Sequence, residues 1–186
     1  MKKLLLPLII LALAAFAPVT LFQPGASPVA RADTASVVVF DVAFDGSTFR
    51  NQDGVPAGDF RGNTFILNGK IFPAGTIPPG DGTFSPDSPG GIGTFICRGT
   101  QLYDLSDTTA DPPFVVTTQL LRFDGDDAIV TEGLEAGVSP VRRAVTGGWG
   151  RYSGASGEVS LELLGFNTTG AENYRFTFTL KKQAPK

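Results

Sequence analysis

Histidine is absent from the 186 residues, and cysteine, methionine and tryptophan occur once each. Without histidine, Ser-His-Asp and Cys-His nucleophile systems cannot be assembled, nor can His-ligated zinc, haem or non-haem iron. One cysteine excludes an intramolecular disulfide and a thiolate metal cluster. Helical periodicity is missing too, and so is any internal repeat. Chemistry is left to carboxylates, amides, hydroxyls, arginine, or the shape of a cavity. What the chain does have is 23 Gly, 14 Pro and 15 Phe, with only 3 Tyr.

The first 32 residues carry Lys2 and Lys3, then an apolar run, then Ala30-Arg31-Ala32. This is the layout of a secretory signal peptide, predicting cleavage after Ala32 and a secreted or periplasmic protein. An uncleaved anchor is the rival reading, since the apolar run approaches the roughly 20 residues that span a bilayer. Pro7 and Pro18 interrupt that run, and no cysteine stands near the cleavage site to take a lipid. Cleavage takes three of the 15 basic residues and none of the 18 acidic ones, so 12 face 18 and the formal charge is −6. An acidic exported chain offers no electrostatic footprint for nucleic acid, and no stable membrane insertion is expected after cleavage. Residues 33–186 are expected to form one domain.

From residue 36 onward the apolar period is two, the mark of half-buried strands. In the stretch 174–181, Tyr174, Phe176, Phe178 and Leu180 share one face, and Arg175, Thr177, Thr179 and Lys181 the other. Similar stretches at 37–44, 64–72, 93–101, 115–123, 128–132, 143–147 and 158–164 bring the number of predicted strands to eight. Asp53-Gly54, Asp124-Gly125, Pro89-Gly90-Gly91 and related pairs punctuate them as turns. Many short strands with such punctuation predict an all-β antiparallel fold. A closed barrel ranks above a sandwich, because eight strands enclose an interior sized for side chains or one small ligand. Residues 76–88 and 106–113 read as loops, with a solvated connection weighed against a functional barrel mouth. Five glycines between Ala144 and Val159 predict a tight strand-to-strand corner. Phosphate binding there lacks the helix that it needs.

The run Thr146-Gly147-Gly148-x-Gly150-x-Tyr152-x-Gly154-Ala155-x-Gly157-x-Val159, followed by Phe176-Thr177-Phe178-x-Leu180-Lys181, resembles the C-terminal signature of the allene oxide cyclase barrel family. The related dirigent proteins carry a similar glycine element. Upstream, Gly58-Asp59, Asn68-x-Lys70-x-Phe72, Gly93-x-x-x-Cys97, Phe123 and Glu132-Gly133 are compatible, so the resemblance covers roughly 37–181. It implies an eight-stranded antiparallel barrel with an apolar cavity, often oligomeric. Plant cyclases of the family close an unstable fatty-acid epoxide into a cyclopentenone without a cofactor; dirigent members steer the coupling of phenoxy radicals. Cavity shape holds the substrate while a carboxylate and an ordered water stabilise developing charge.

Carried over residue by residue, the resemblance places the first-strand carboxylate on Asp41, the water-holding amide on Asn68 and the cavity cysteine on Cys97. An amide expected two residues after Asp41 is replaced by Ala43. A tyrosine expected after the Glu132-Gly133 element has no counterpart, Leu134 and Glu135 standing there instead. Trp149 occupies a position usual for a small residue or Thr. Asp41 and Asn68 are thus the candidate catalytic residues, while Cys97, Gln119, Trp149 and Tyr152 are candidate ligand contacts. Each has a structural alternative: Asp41 as a solvated strand charge if it faces outward, Cys97 as an inert core residue, Asn68 as a turn residue, Gln119 and Thr117 as exposed polar positions, Trp149 and Tyr152 as packing for the glycine corner. Both faces of the first strand are partly apolar, so the direction of Asp41 stays open. Asn167-Thr168-Thr169 matches the glycosylation acceptor pattern, relevant only in a eukaryotic secretory pathway.

Two functions are carried forward. One is a hydrophobic small molecule bound in the lumen, with a cofactor-free cyclase or isomerase, or stereoselective coupling, as its active form. The other is a non-catalytic lipid-binding or structural module. No cofactor and no metal are expected, and homo-oligomer formation stays open.

Overall fold

The computed structural model describes residues 35–51, 61–102, 115–135 and 139–181. Among these, eight strands run β1 (Ser36–Asn51), β2 (Thr64–Pro73), β3 (Gly93–Gln101), β4 (Val115–Phe123), β5 (Ala128–Glu135), β6 (Val141–Trp149), β7 (Gly157–Phe166) and β8 (Glu172–Leu180). Each pairs antiparallel with the next, and β8 returns to β1, so the sheet closes into a barrel. Closure gives every strand a neighbour on both sides, which removes the free edge strands of an open sheet. The predicted signal peptide, its cleavage site and the loop 106–113 lie outside the described residues. Among those described, no helix is long and apolar enough to cross a membrane.

The period-two pattern explains the core. Along β8, Phe176 and Phe178 are fully buried, and Tyr174 packs against the same cluster. Matching lumen-facing residues come from β1 (Phe40, Val42, Phe44), β3 (Phe95, Cys97) and β4 (Leu121, Phe123). Their rings form an unbroken column: Tyr152, Phe123, Phe40, Phe178, Phe176, Phe95, Phe44 and Tyr174, each 4.6–6.2 Å from the next, centroid to centroid. Aromatic pairs at such offsets add to what their burial contributes. One end of the barrel, the base, is closed by a 3₁₀ turn at Gly150–Tyr152, where Arg151 stacks over Phe123 and Tyr152 and pairs with Asp127.

A second, smaller core lies outside the wall. Ala43, Phe72, Ile77 and Leu164 are buried there together, with Phe84 packed on them. The segment 74–92 therefore does not wave in solvent as a solvated connection would; it crosses the outer wall as a strap. Its backbone binds the outer side of β7, with Gly80 N–H to Leu164 O and Gly82 N–H to Phe166 O at 2.8 Å each, and Thr168 N–H donates to Phe84 O at 2.9 Å. The strap explains why the middle of β1 is buried on both faces: Phe40, Val42 and Phe44 fill the lumen, and Asp41 and Ala43 sit under the strap.

The glycine corner is a site of close backbone approach. A Cβ on Gly148 would lie 2.5 Å from Ala128 O and 2.7 Å from Tyr152 O, and Gly150 has φ +63°. The glycosylation acceptor pattern serves packing instead: Asn167 is buried, its Nδ2 donating to Phe44 O at 2.7 Å and to Asn173 Oδ1 at 3.1 Å.

Candidate functional site

The candidate residues fall into three places. Asp41 is fully buried but faces the outer wall, where the strap covers it. Its Oδ2 accepts from Gly75 N–H at 2.7 Å and Ile77 N–H at 3.1 Å, and Arg175 binds both carboxylate oxygens, at 2.9 and 3.3 Å. Asn68 is exposed on the outside of β2, its N–H donating to Thr48 Oγ1. These two do not meet each other or the lumen. Trp149, 39% exposed, stands on the outer wall opposite Ala128, and Tyr152 plugs the base. Neither covers the other end of the barrel, the mouth.

Cys97 and Gln119 are brought together. They are register partners on β3 and β4, both buried in the half of the lumen toward the mouth. Around them, β4, β5 and β6 supply Thr117, Thr131, Glu135 and Arg143, all on the lumen face by strand alternation. Four of these side chains form a closed ring of hydrogen bonds. Arg143 Nε donates to Thr131 Oγ1 at 3.2 Å, and Thr131 Oγ1 donates to Gln119 Oε1 at 3.2 Å. Gln119 Nε2 donates to Glu135 Oε1 at 2.6 Å, and Arg143 Nη1 returns to the same oxygen at 2.9 Å. Thr117 Oγ1 adds a third donor to Glu135 Oε1, at 2.6 Å. Arg143 is further held by Thr117 O and Gly133 O.

The electrostatics follow from this geometry. The Arg143 side chain is inaccessible to solvent, while that of Glu135 is 23% exposed, so the carboxylate marks the mouth end of the pair. Burial lowers the pKa of Arg143 below its ordinary value, and Glu135 opposes that shift. Burial also pushes the Cys97 thiol up to about 12, with the Glu135 charge adding to the effect, so the thiol is protonated and no nucleophile at neutral pH. Tyr174, across the lumen, is raised for the same first reason. The arrangement suits orientation and charge stabilisation rather than covalent chemistry. At the lip lies a half-open cleft of about 700 Å³, lined by lumen-facing Phe65, Gly99 and Thr117 and by outward Ile66, Arg98 and Thr118. Among the described residues, no group of three His, Cys, Asp or Glu side chains is placed to hold a metal.

Arg143 and Glu135 escape a reading by resemblance, but alternation contains them. Val141, Arg143 and Val145 share the lumen parity of β6, and an arginine in an apolar parity is the informative exception.

No protein-family model matches the sequence, and no curated protein does. Solved structures do resemble the chain. A pyocyanin demethylase superposes with a TM-score of 0.54 at 18% identity, over 78% of this chain and all of the other. A pterocarpan synthase dirigent protein gives 0.58 at 12% identity, over 87% and 99%. A nonspecific heme-binding cyclase of a [4 + 2] cycloaddition gives 0.50 at 16%, over 81% and 68%. At these identities the likeness is one of fold, and the fold is the dirigent and allene oxide cyclase type of barrel.

Proposed function

We propose that this is a small-molecule-binding barrel whose working site is the mouth half of the lumen. The apolar body of the ligand lies against Phe65, Phe44 and Tyr174, and its polar end meets Glu135, the exposed member of the ring that Arg143, Thr131 and Gln119 complete. Cys97 contributes a protonated, apolar wall. Export with cleavage after Ala32 belongs to the same proposal, as does cofactor-free isomerisation, cyclisation or guided coupling of the bound molecule. Arg143, its side chain closed to solvent and four of its five N–H groups engaged, holds the carboxylate of Glu135 in position. Glu135 Oε2 takes part in none of the bonds to Oε1 and is the acceptor that a ligand can use.

One observation carries this reading: an Arg–Glu pair, its guanidinium fully buried, inside a lumen packed mainly with apolar side chains. Such pairs add little to stability, because desolvation offsets the attraction, and packed apolar residues commonly serve as well or better. A role outside folding accounts for its presence. The solid aromatic column favours a second reading, a structural module in which the ring only fills the lumen.

The test is the double variant Arg143→Met/Glu135→Leu, with small molecules co-purifying with the full chain identified by mass spectrometry. Loss of the retained molecule with melting unchanged or raised supports binding at the mouth. An empty wild-type protein, or a ligand retained equally by the variant, supports the structural module.

A further inference from the structure

The polar ring is internally satisfied, but two acceptor atoms beside it are not. Asn63, just before β2, stands opposite Gln101, the last residue of β3, with Gln101 N–H donating to Asn63 O at 2.9 Å and Gly62 N–H to Gln101 O at 2.7 Å. Alternation puts both side chains on the face of Phe65 and Gly99, one row closer to the rim. Asn63 is 2% exposed, and its Oδ1 and the Oε1 of Gln101 are both buried without a hydrogen-bond partner. Buried polar atoms are nearly always paired, so two orphans at adjacent positions of one rim call for an explanation.

Bookkeeping of donors and charge says what fits. On the lumen side, the buried guanidinium of Arg143 is already matched by Glu135, whose Oε1 takes three donors. A ligand carboxylate there would face Glu135 and two bare carbonyl oxygens. A ligand without donors leaves those oxygens as unpaired as they already are, whereas one with donors gains the hydrogen bonds that they lack. Arg50 and Arg98 lie on the outward side of the lip, where they line the cleft rather than the lumen.

We infer that the mouth selects a neutral ligand presenting hydrogen-bond donors, such as a diol or a dihydroxy aromatic, to Asn63 Oδ1 and Gln101 Oε1. This deepens the proposed function and rests on it. Three probes of one shape test it by titration calorimetry on the full chain: a dihydroxynaphthalene, its dimethyl ether and a naphthalene carboxylate. The dihydroxy compound is expected to bind at least about tenfold more tightly than either of the others. In the double variant Asn63→Leu/Gln101→Met that preference falls to within about twofold. Single substitution Gln101→Met shows the same trend at half the site. Binding of all three probes with equal strength, tightest binding of the carboxylate, or a preference that survives the double variant overturns the inference while leaving ligand binding intact. Should the double variant fail to fold, the single variant Gln101→Met decides, and a preference undiminished in it overturns the inference. Absence of binding by every probe overturns this inference together with the proposed function.

Discussion

Asp41 is buried because of what it holds. Its carboxylate joins the strap to the barrel through Gly75, Ile77 and Arg175, an arrangement that fastens backbone. Asp41→Ala strands those donors, at about 1–3 kcal/mol for a buried group left unpaired. Lowered melting with faster hydrogen exchange at Gly75 and Ile77, and unchanged ligand binding, is the expected outcome. Cys97 gives a second prediction. Its thiol is raised from 9.0 to about 12 in the folded protein, first by burial, so the folded state holds the proton more tightly than the unfolded one. The stabilisation is complete below pH 9 and is lost as the pH rises toward 12; Cys97→Ala should flatten that part of the stability curve. At pH 8 alkylation should track unfolding. The resemblance put Cys97 on the cavity wall, and Gln119, left open between the cavity and an exposed position, is its buried register partner. The sequence left Asp41 ambiguous because Ala43 beside it and Val42 and Phe44 opposite are all apolar, each face having its own partner.

At the scale of elements, seven of the eight strands end within a few residues of where alternation and turn signals place them. β1 is the exception: it runs on to Asn51 through a register shift between Asp45 and Arg50, where polar residues hide the pattern. The strap was illegible for a related reason. Its Pro and Gly residues read as solvent loop, and only Ile77 and Phe84 mark the face that docks. The glycine corner was legible, and its strain is steric. Gly148→Val drives a branched side chain into Ala128 O and Tyr152 O, and a loss of about 1–3 kcal/mol or more in a denaturant titration is expected. Stability equal to wild type would mean that the corner relaxes freely. Arg143 stands out by parity on β6, but Glu135 lies past the predicted end of β5, and only pairing through β4, β5 and β6 closes their ring.

For the molecule as a whole, the barrel divides along its axis. The base half is a packed aromatic column closed by Tyr152, and the mouth half carries the polar ring. Phe95→Ala or Phe176→Ala should cost about 3–5 kcal/mol, the range for large aromatic truncations in a core, without moving the ligand site. The division also explains why catalytic residues carried over by resemblance land elsewhere: a shared barrel does not preserve which wall carries the charge. The measurement that bears most directly on the account is an amide NMR titration of the full chain with dihydroxynaphthalene. Shifts concentrated at Asn63, Gln101, Thr117, Gln119 and Glu135 are predicted. Shifts confined to Gly75 and Ile77 on the strap, to Trp149 and Tyr152 at the base, or to the outer wall would contradict it.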